Sequence, residues 1–236
     1  EYIIIDDAST DRTWEIIQEY AKKDDRIIAV QNEVNRGTPV TRNKGVKLGK
    51  SEYIVWQDAD DISLLERIAK QYSYMENHPE VGILGGFLQF FDDSGEKGVR
   101  EYAEHDTELR KNIFLYSPVA QPAAMIRKDA IENAGEYNPE YRQAQDLDMS
   151  FRIGMLAKFA NIQEVVIKYR EHPHSATFSK LKSLELNTVK MRWKYSRSEA
   201  YTMRLFDRLY NIAQLISIYI IPPKFKIWLF NKMRNT

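Results

Sequence analysis

The sequence predicts an α/β fold, a mostly parallel sheet flanked by helices. Residues 1–56 alternate apolar runs with helical periodicity in the order strand–helix–strand–helix–strand, the pattern of a parallel sheet. Two of those strands end in carboxylates, Asp6-Asp7 and Asp58-Ala59-Asp60-Asp61, and such sheets bind ligands beyond the carboxyl ends of their strands. The chain has 236 residues, 43% hydrophobic and 29% charged, enough apolar mass for a real core.

The elements follow in order. Tyr2-Ile3-Ile4-Ile5 is a continuous apolar strand, and Ser9 or Thr10 is placed to cap a helix whose apolar stripe is Trp14, Ile17 and Tyr20 or Ala21. Arg26 to Val30 is a second strand. Asn32 to Thr38 is a polar loop, and Pro39 opens the next helix, which Gly49 breaks. Tyr53 to Trp56 is a buried strand running into the acidic string, with Ser63 as a cap for an amphipathic helix from Leu64 to Asn77. Val81 to Phe91 is a long strand that turns at Asp92-Asp93-Ser94-Gly95. Beyond it come a helix from Asp106 to Tyr116, an extended stretch at Gln121–Ile126 and a short helix closed by Gly135. A helix from Gln143 to Phe159 then precedes a strand at Ile162–Tyr169.

Composition excludes several classes. The chain has no cysteine, so there is no disulfide scaffold and no thiolate metal site, and a reducing, cytoplasmic setting is expected. No signal peptide is visible, and no apolar run reaches the roughly 18 residues of a membrane span. The net charge of zero is split. Residues 190–236 carry ten Lys or Arg against two acidic residues, a local +8, and residues 1–189 carry −8. An acidic body excludes nucleic acid as a partner. The segment 209–236 mixes apolar residues, Trp228 and cations in the manner of an interfacial helix, which places the protein at the inner face of a membrane; packing on the domain or dimerisation is the competing reading.

Three carboxylates in four residues repel one another unless a cation lies between them, and oxygen-only ligands favour Mg²⁺ or Mn²⁺. The plainer alternative is a solvated acidic loop. Several stretches taken together decide between them. Ile3-Ile4-Ile5-Asp6-Asp7-Ala8-Ser9-Thr10-Asp11, Asn35-Arg36-Gly37 with Thr41-Arg42-Asn43-Lys44-Gly45, Asp58-Ala59-Asp60-Asp61, Gln145-Asp146-Leu147-Asp148 and Tyr169-Arg170-Glu171-His172 stand in one order along the chain. In that order they resemble the motifs of family 2 glycosyltransferases, enzymes of the GT-A, Rossmann-like fold.

The resemblance implies a GT-A domain over residues 1–180 and a helical basic and apolar extension over 181–236. It implies an inverting enzyme that moves a sugar from a UDP- or GDP-linked donor to a hydroxyl of a glycan or lipid-linked glycan, in cell-surface polysaccharide biosynthesis. Asp7, Asn35, Arg42, Asp58 and Asp61 would bind the nucleotide-sugar, Asp60 and His172 would hold Mg²⁺ or Mn²⁺, and Asp146 would be the general base. His174 competes with His172, and Asp148 is expected to pair with a cation instead of reacting. Gln145 departs from the family, which has Glu there. The family also has an earlier strand, lying between the strands at Ile3 and Ile54, so the sequence resembles a domain lacking its first βα unit. Two other readings are weighed: a catalytically inactive binding module of the same fold, and a phosphoacceptor receiver domain. The second needs a Lys-Pro that neither Lys97-Gly98 nor Lys111-Asn112 supplies.

Overall fold

The computed structural model describes residues 1–171, 180–222 and 225–226. The first half runs β1 (Tyr2–Asp6), α1 (Thr13–Ala21), β2 (Ile27–Gln31), α2 (Thr38–Leu48), β3 (Tyr53–Val55), β4 (Ile62–Ser63), α3 (Arg67–Asn77), β5 (Val81–Asp92) and β6 (Gly95–Arg100). The second half runs α4 (Asp106–Asn112), a 3-10 turn at Gln121–Ala123, β7 (Met125–Arg127), α5 (Lys128–Ala134), α6 (Gln145–Ile153), β8 (Lys158–Arg170), α7 (Leu181–Tyr195) and α8 (Leu205–Ile220).

β1 and β2 form a parallel pair, Tyr2 opposite Ile27 and Asp6 opposite Gln31. The other strands make a six-stranded sheet in the order β3-β7-β5-β8-β4, with β6 on the distal half of β5. The α/β class is as expected, and the sheets are mixed, with their two longest ladders, β5–β8 and β1–β2, parallel. In the larger sheet only β5 and β8 run parallel, while β3–β7, β5–β7, β4–β8 and β5–β6 are antiparallel. For the β5–β6 pair the physical reason is connection length. The tight turn at Asp92–Gly95, with Gly95 at φ +118°, can only return the chain antiparallel, since a parallel neighbour needs a long crossover.

Alternation along β5 and β7 divides the core between two faces. Ile83 and Ile126 join Val46, Leu109, Phe114, Leu147 and Phe151 on one side. Leu84 and Met125 join Met75 of α3 and Ala160 on the other. β5 and β8 lie very close where glycine allows it. A Cβ on Gly85 would stand 2.7 Å from Val119 and also meet the Asn161 amide, which is buried and donates 3.0 Å bonds to the Ala103 and Pro118 carbonyls.

Two expected caps are not formed. Ser9 donates its N–H and hydroxyl to Asp6, and it is the Asp11 carboxylate that receives the Thr13 N–H at 2.9 Å. Ser63 lies in β4, and α3 begins only at Arg67 because Ile62 and Ser63 pair with Lys168 and Ile167. α6 ends at Ile153, since Lys158 onward belongs to β8.

β1 and β3 do not pair with each other. A slot of about 410 Å³ separates them, lined by the backbone edges Glu1–Ile5 and Tyr53–Val55 and floored by Thr41, Arg42 and Gly45 of α2.

Candidate active site

The acidic turn after β3 is built by its neighbours. The Gln57 side chain donates 2.9 Å bonds to the carbonyls of both Asp58 and Asp61, closing the turn. Ser63 donates its hydroxyl to Gln57 Oε1 at 2.5 Å, and Arg67 donates 2.9 Å to Ser63 Oγ and 3.0 Å to the Trp56 carbonyl. Arg67 is 1% exposed, and burial lowers its pKa to about 10, opposed by Asp61 and Asp58. A buried guanidinium therefore sits beneath the turn with its fork of donors fully engaged. None of Gln57, Ser63 or Arg67 was singled out as a site residue from sequence. The available signal is an Arg and a Gln at i, i+4 on one face of α3, where Arg67 donates 3.1 Å to Gln71.

From above, Arg42 pairs with Asp58 at 3.5 Å, its guanidinium 5.3 Å from the Trp56 ring centre and 5.8 Å from that of Tyr137. The inward course of α2 is set by Asn43, whose amide exchanges 2.8 Å and 2.7 Å bonds with the Tyr137 backbone. Asp58 is half-buried and Asp60 exposed. Burial raises the Asp58 pKa most, Arg42 lowers it, and Asp60 and Asp146 both raise it further. The same Asp146 charge, half-buried at the start of α6, also reaches Tyr102 and Tyr137.

Asp61 faces the other way. It accepts the Arg170 N–H at 2.9 Å, and Arg170 also donates to the Asp60 carbonyl at 3.1 Å, which ties the turn to the end of β8. Among the described residues its buried second oxygen has no hydrogen-bond donor, and burial first, then Asp58 and Asp60, push its pKa up to about 7. Crowded carboxylates favour a hard divalent cation beside them, although among the described residues no three acidic or histidine side chains converge into a cation site. His172 and His174, expected beside them, lie outside the described residues.

Asp7 lies at the end of β1, near the mouth of the slot. Its carboxylate accepts from the Asn32 amide at 2.8 Å and the N–H groups of Arg36 at 2.9 Å and Gly37 at 2.8 Å, and Asn35 donates 3.2 Å to its carbonyl. Burial raises its pKa, but these donors outweigh it and the net shift is downward. The Thr41 hydroxyl joins these donors, so the Asp7 carboxylate is held ionised by four neighbours. Asp148 turns away from this site into the fold. It is 1% exposed and binds Arg152 at 2.8 Å and the Tyr195 hydroxyl at 2.8 Å.

A family model described as glycosyl transferase family 2 matches residues 1–135. Over 93% of this chain and 78% of its own length, an uncharacterized glycosyltransferase of Methanocaldococcus jannaschii is 31% identical. The chain belongs to glycosyl transferase family 2. An Escherichia coli UDP-Glc:alpha-D-GlcNAc-diphosphoundecaprenol beta-1,3-glucosyltransferase is 29% identical over 78% of this chain and 70% of that enzyme. The crystallised mannosyltransferase of Pyrobaculum calidifontis, in complex with GDP-Man and Mn²⁺, superposes with a TM-score of 0.62 at 16% identity, covering 99% of this chain and 70% of that one. The fold is accordingly that of GT-A glycosyltransferases, and the receiver-domain reading is set aside. For this glycosyltransferase the site above brings together Asp7 with Asn35, Arg42 with Asp58, and Asp146 with the acidic turn; Asp61 is directed to β8.

Proposed function

We propose that the protein is an inverting transferase that takes a sugar from a UDP- or GDP-linked donor and passes it to a hydroxyl of a glycan or lipid-linked glycan. The observation that carries this reading is that the half-buried Asp146 carboxylate at the start of α6 is within electrostatic reach of Asp58, which pairs with Arg42. Asp7 and Asn35 hold the nucleoside. Arg42 and Asp58 orient the turn, and Asp61 anchors it to β8. Asp60 would hold Mg²⁺ or Mn²⁺, which supplies counter-charge for the departing diphosphate. Relatives and structural neighbours named for UDP-Glc, GDP-Man and Mn²⁺ support the donor class and the metal. The relative named for a diphosphoundecaprenol substrate supports an acceptor on a lipid carrier and, with it, membrane contact through 209–236.

A sugar hydroxyl is a poor nucleophile. In this reading Asp146 takes its proton as the oxygen bonds to the anomeric carbon, and the bond to the diphosphate breaks on the opposite face. The base adds roughly 10²–10⁴ in rate. Asp146→Asn should therefore lose about that factor in turnover while UDP or GDP binding, measured by calorimetry with Mn²⁺, stays within about threefold. Near-normal turnover in the variant would remove Asp146 from the mechanism. Unchanged nucleotide affinity on adding chelator would remove the metal.

The slot between β1 and β3 belongs to the same reading. Both edges present unpaired backbone to it, and a further parallel strand placed there would join the two sheets into one.

A further inference from the structure

Helix α8 is turned inside out. At 100° per residue, Asp207, Asn211, Gln214 and Ile218 share one side, and Leu205, Leu209, Ile212, Ile216 and Ile220 share the opposite one. A helix packed on a domain normally buries its apolar side. Here Asp207 and Asn211 are 0% exposed, while Leu205 and Ile220 are each 73% exposed and the residues between them on that side are also open.

Hydrogen bonds lock the inversion. Asn211 donates 2.9 Å to the Phe114 carbonyl, and Arg192 donates 3.0 Å to Gln214 and 2.5 Å to the Leu115 carbonyl. Arg204 pairs with Asp207 at 2.7 Å. Rolling the helix to bury its leucines would strand these buried polar groups, so the apolar side is held outward by the fold itself. Across 16 residues, about 24 Å of helix, Arg208 is the one charge on the outward half.

We propose that this outward face is a docking surface for a bilayer containing anionic lipid, with α8 lying in the plane of the interface. Charge selects that occupant. Arg208 is exposed on the helix, the exposed Lys182 ammonium lies 5.0 Å from the Tyr219 ring centre, and residues 190–236 carry a net +8, with Lys224, Trp228, Leu229, Phe230, Lys232 and Arg234 continuing the mixture in the sequence. A second copy docking by two-fold symmetry would set the same positive rim against itself. Anionic headgroups meet the rim while acyl chains take the leucines. The helix lies on the bilayer and does not cross it, since no helix among the described residues is long and apolar enough to span.

This deepens the reading of a membrane-side acceptor, and its test needs no catalysis, so docking and transfer can fail separately. The complete chain is sedimented with vesicles of phosphatidylcholine, alone or mixed with phosphatidylglycerol. Wild-type protein should pellet with the mixed vesicles at low salt, far less with phosphatidylcholine alone, and progressively less as salt rises. Leu209→Glu with Ile216→Glu should cut the bound fraction roughly tenfold or more while the melting curve and nucleotide affinity hold. Wild-type protein left in the supernatant on anionic vesicles overturns the proposal. So does a variant that pellets like wild type. A wild-type dimer in light scattering that the double variant converts to monomer assigns the face to a second copy instead.

Discussion

Asp146 and Asp148 are two residues apart and do different work, because two positions on a helix differ by about 200°. Asp146 is within electrostatic reach of Asp58 in the acidic turn, and Asp148 looks into the core at Arg152, Tyr195 and Lys194, the last at 3.5 Å. The sequence supports a pairing role for Asp148, and the structure makes that role a large one. Removing its charge leaves Arg152, itself largely buried, without its counter-ion. Asp148→Asn should lower stability by about 3 kcal/mol. In a chain of this size that is a fall of about 6–12 °C in Tm, read by calorimetry. Below that melt, activity should stay near wild type, which separates it from Asp146→Asn. A variant that melts normally and does not turn over would exchange the two roles.

Among the elements, β1 and β3 face each other across the slot without pairing. Both contribute backbone to the slot, and α2 passes beneath it closely enough that a Cβ on Gly45 would lie 3.5 Å from the Ile5 side chain. An extended segment of alternating apolar residues has a floor, two walls and two rows of backbone partners there. Fusing such a strand with a covering helix ahead of Glu1 should raise Tm by several degrees. It should also slow hydrogen exchange at the N–H groups of β1 and β3 that face the slot. Exchange that stays fast at both edges would show that the slot does not take a strand.

For the whole molecule, the turn after β3 crowds three carboxylates whose charges oppose one another, and binding there couples to stability. Ligand at about 100 times its Kd adds about 2.7 kcal/mol to folding. UDP or GDP with Mn²⁺ should therefore raise Tm by about 5–10 °C, and chelator should abolish most of that gain. An equal shift with and without metal would put the nucleotide elsewhere or leave the metal out. Much of the molecule is legible in the sequence. Periodicity locates β1, β2, α2 and β5 almost to the residue, Pro39 and Gly135 mark their helix ends, and the ordered motifs name Asp7, Arg42, Asp58 and Asp146. Those are local properties, carried by hydropathy, backbone preference and short spacing. Tertiary structure alone decides the rest. The polar strand β6, the antiparallel entry of β7 and the late start of α3 each depend on a partner strand, and a strand cannot choose its partner from its own residues. Arg67 reads as one more charge on an amphipathic helix until Trp56, Ser63 and Gln57 close around it. The apolar run of α8 reads as core or membrane alike. Only the burial of Asp207 and Asn211 against the domain, which puts their hydrogen bonds inside, turns the leucines outward.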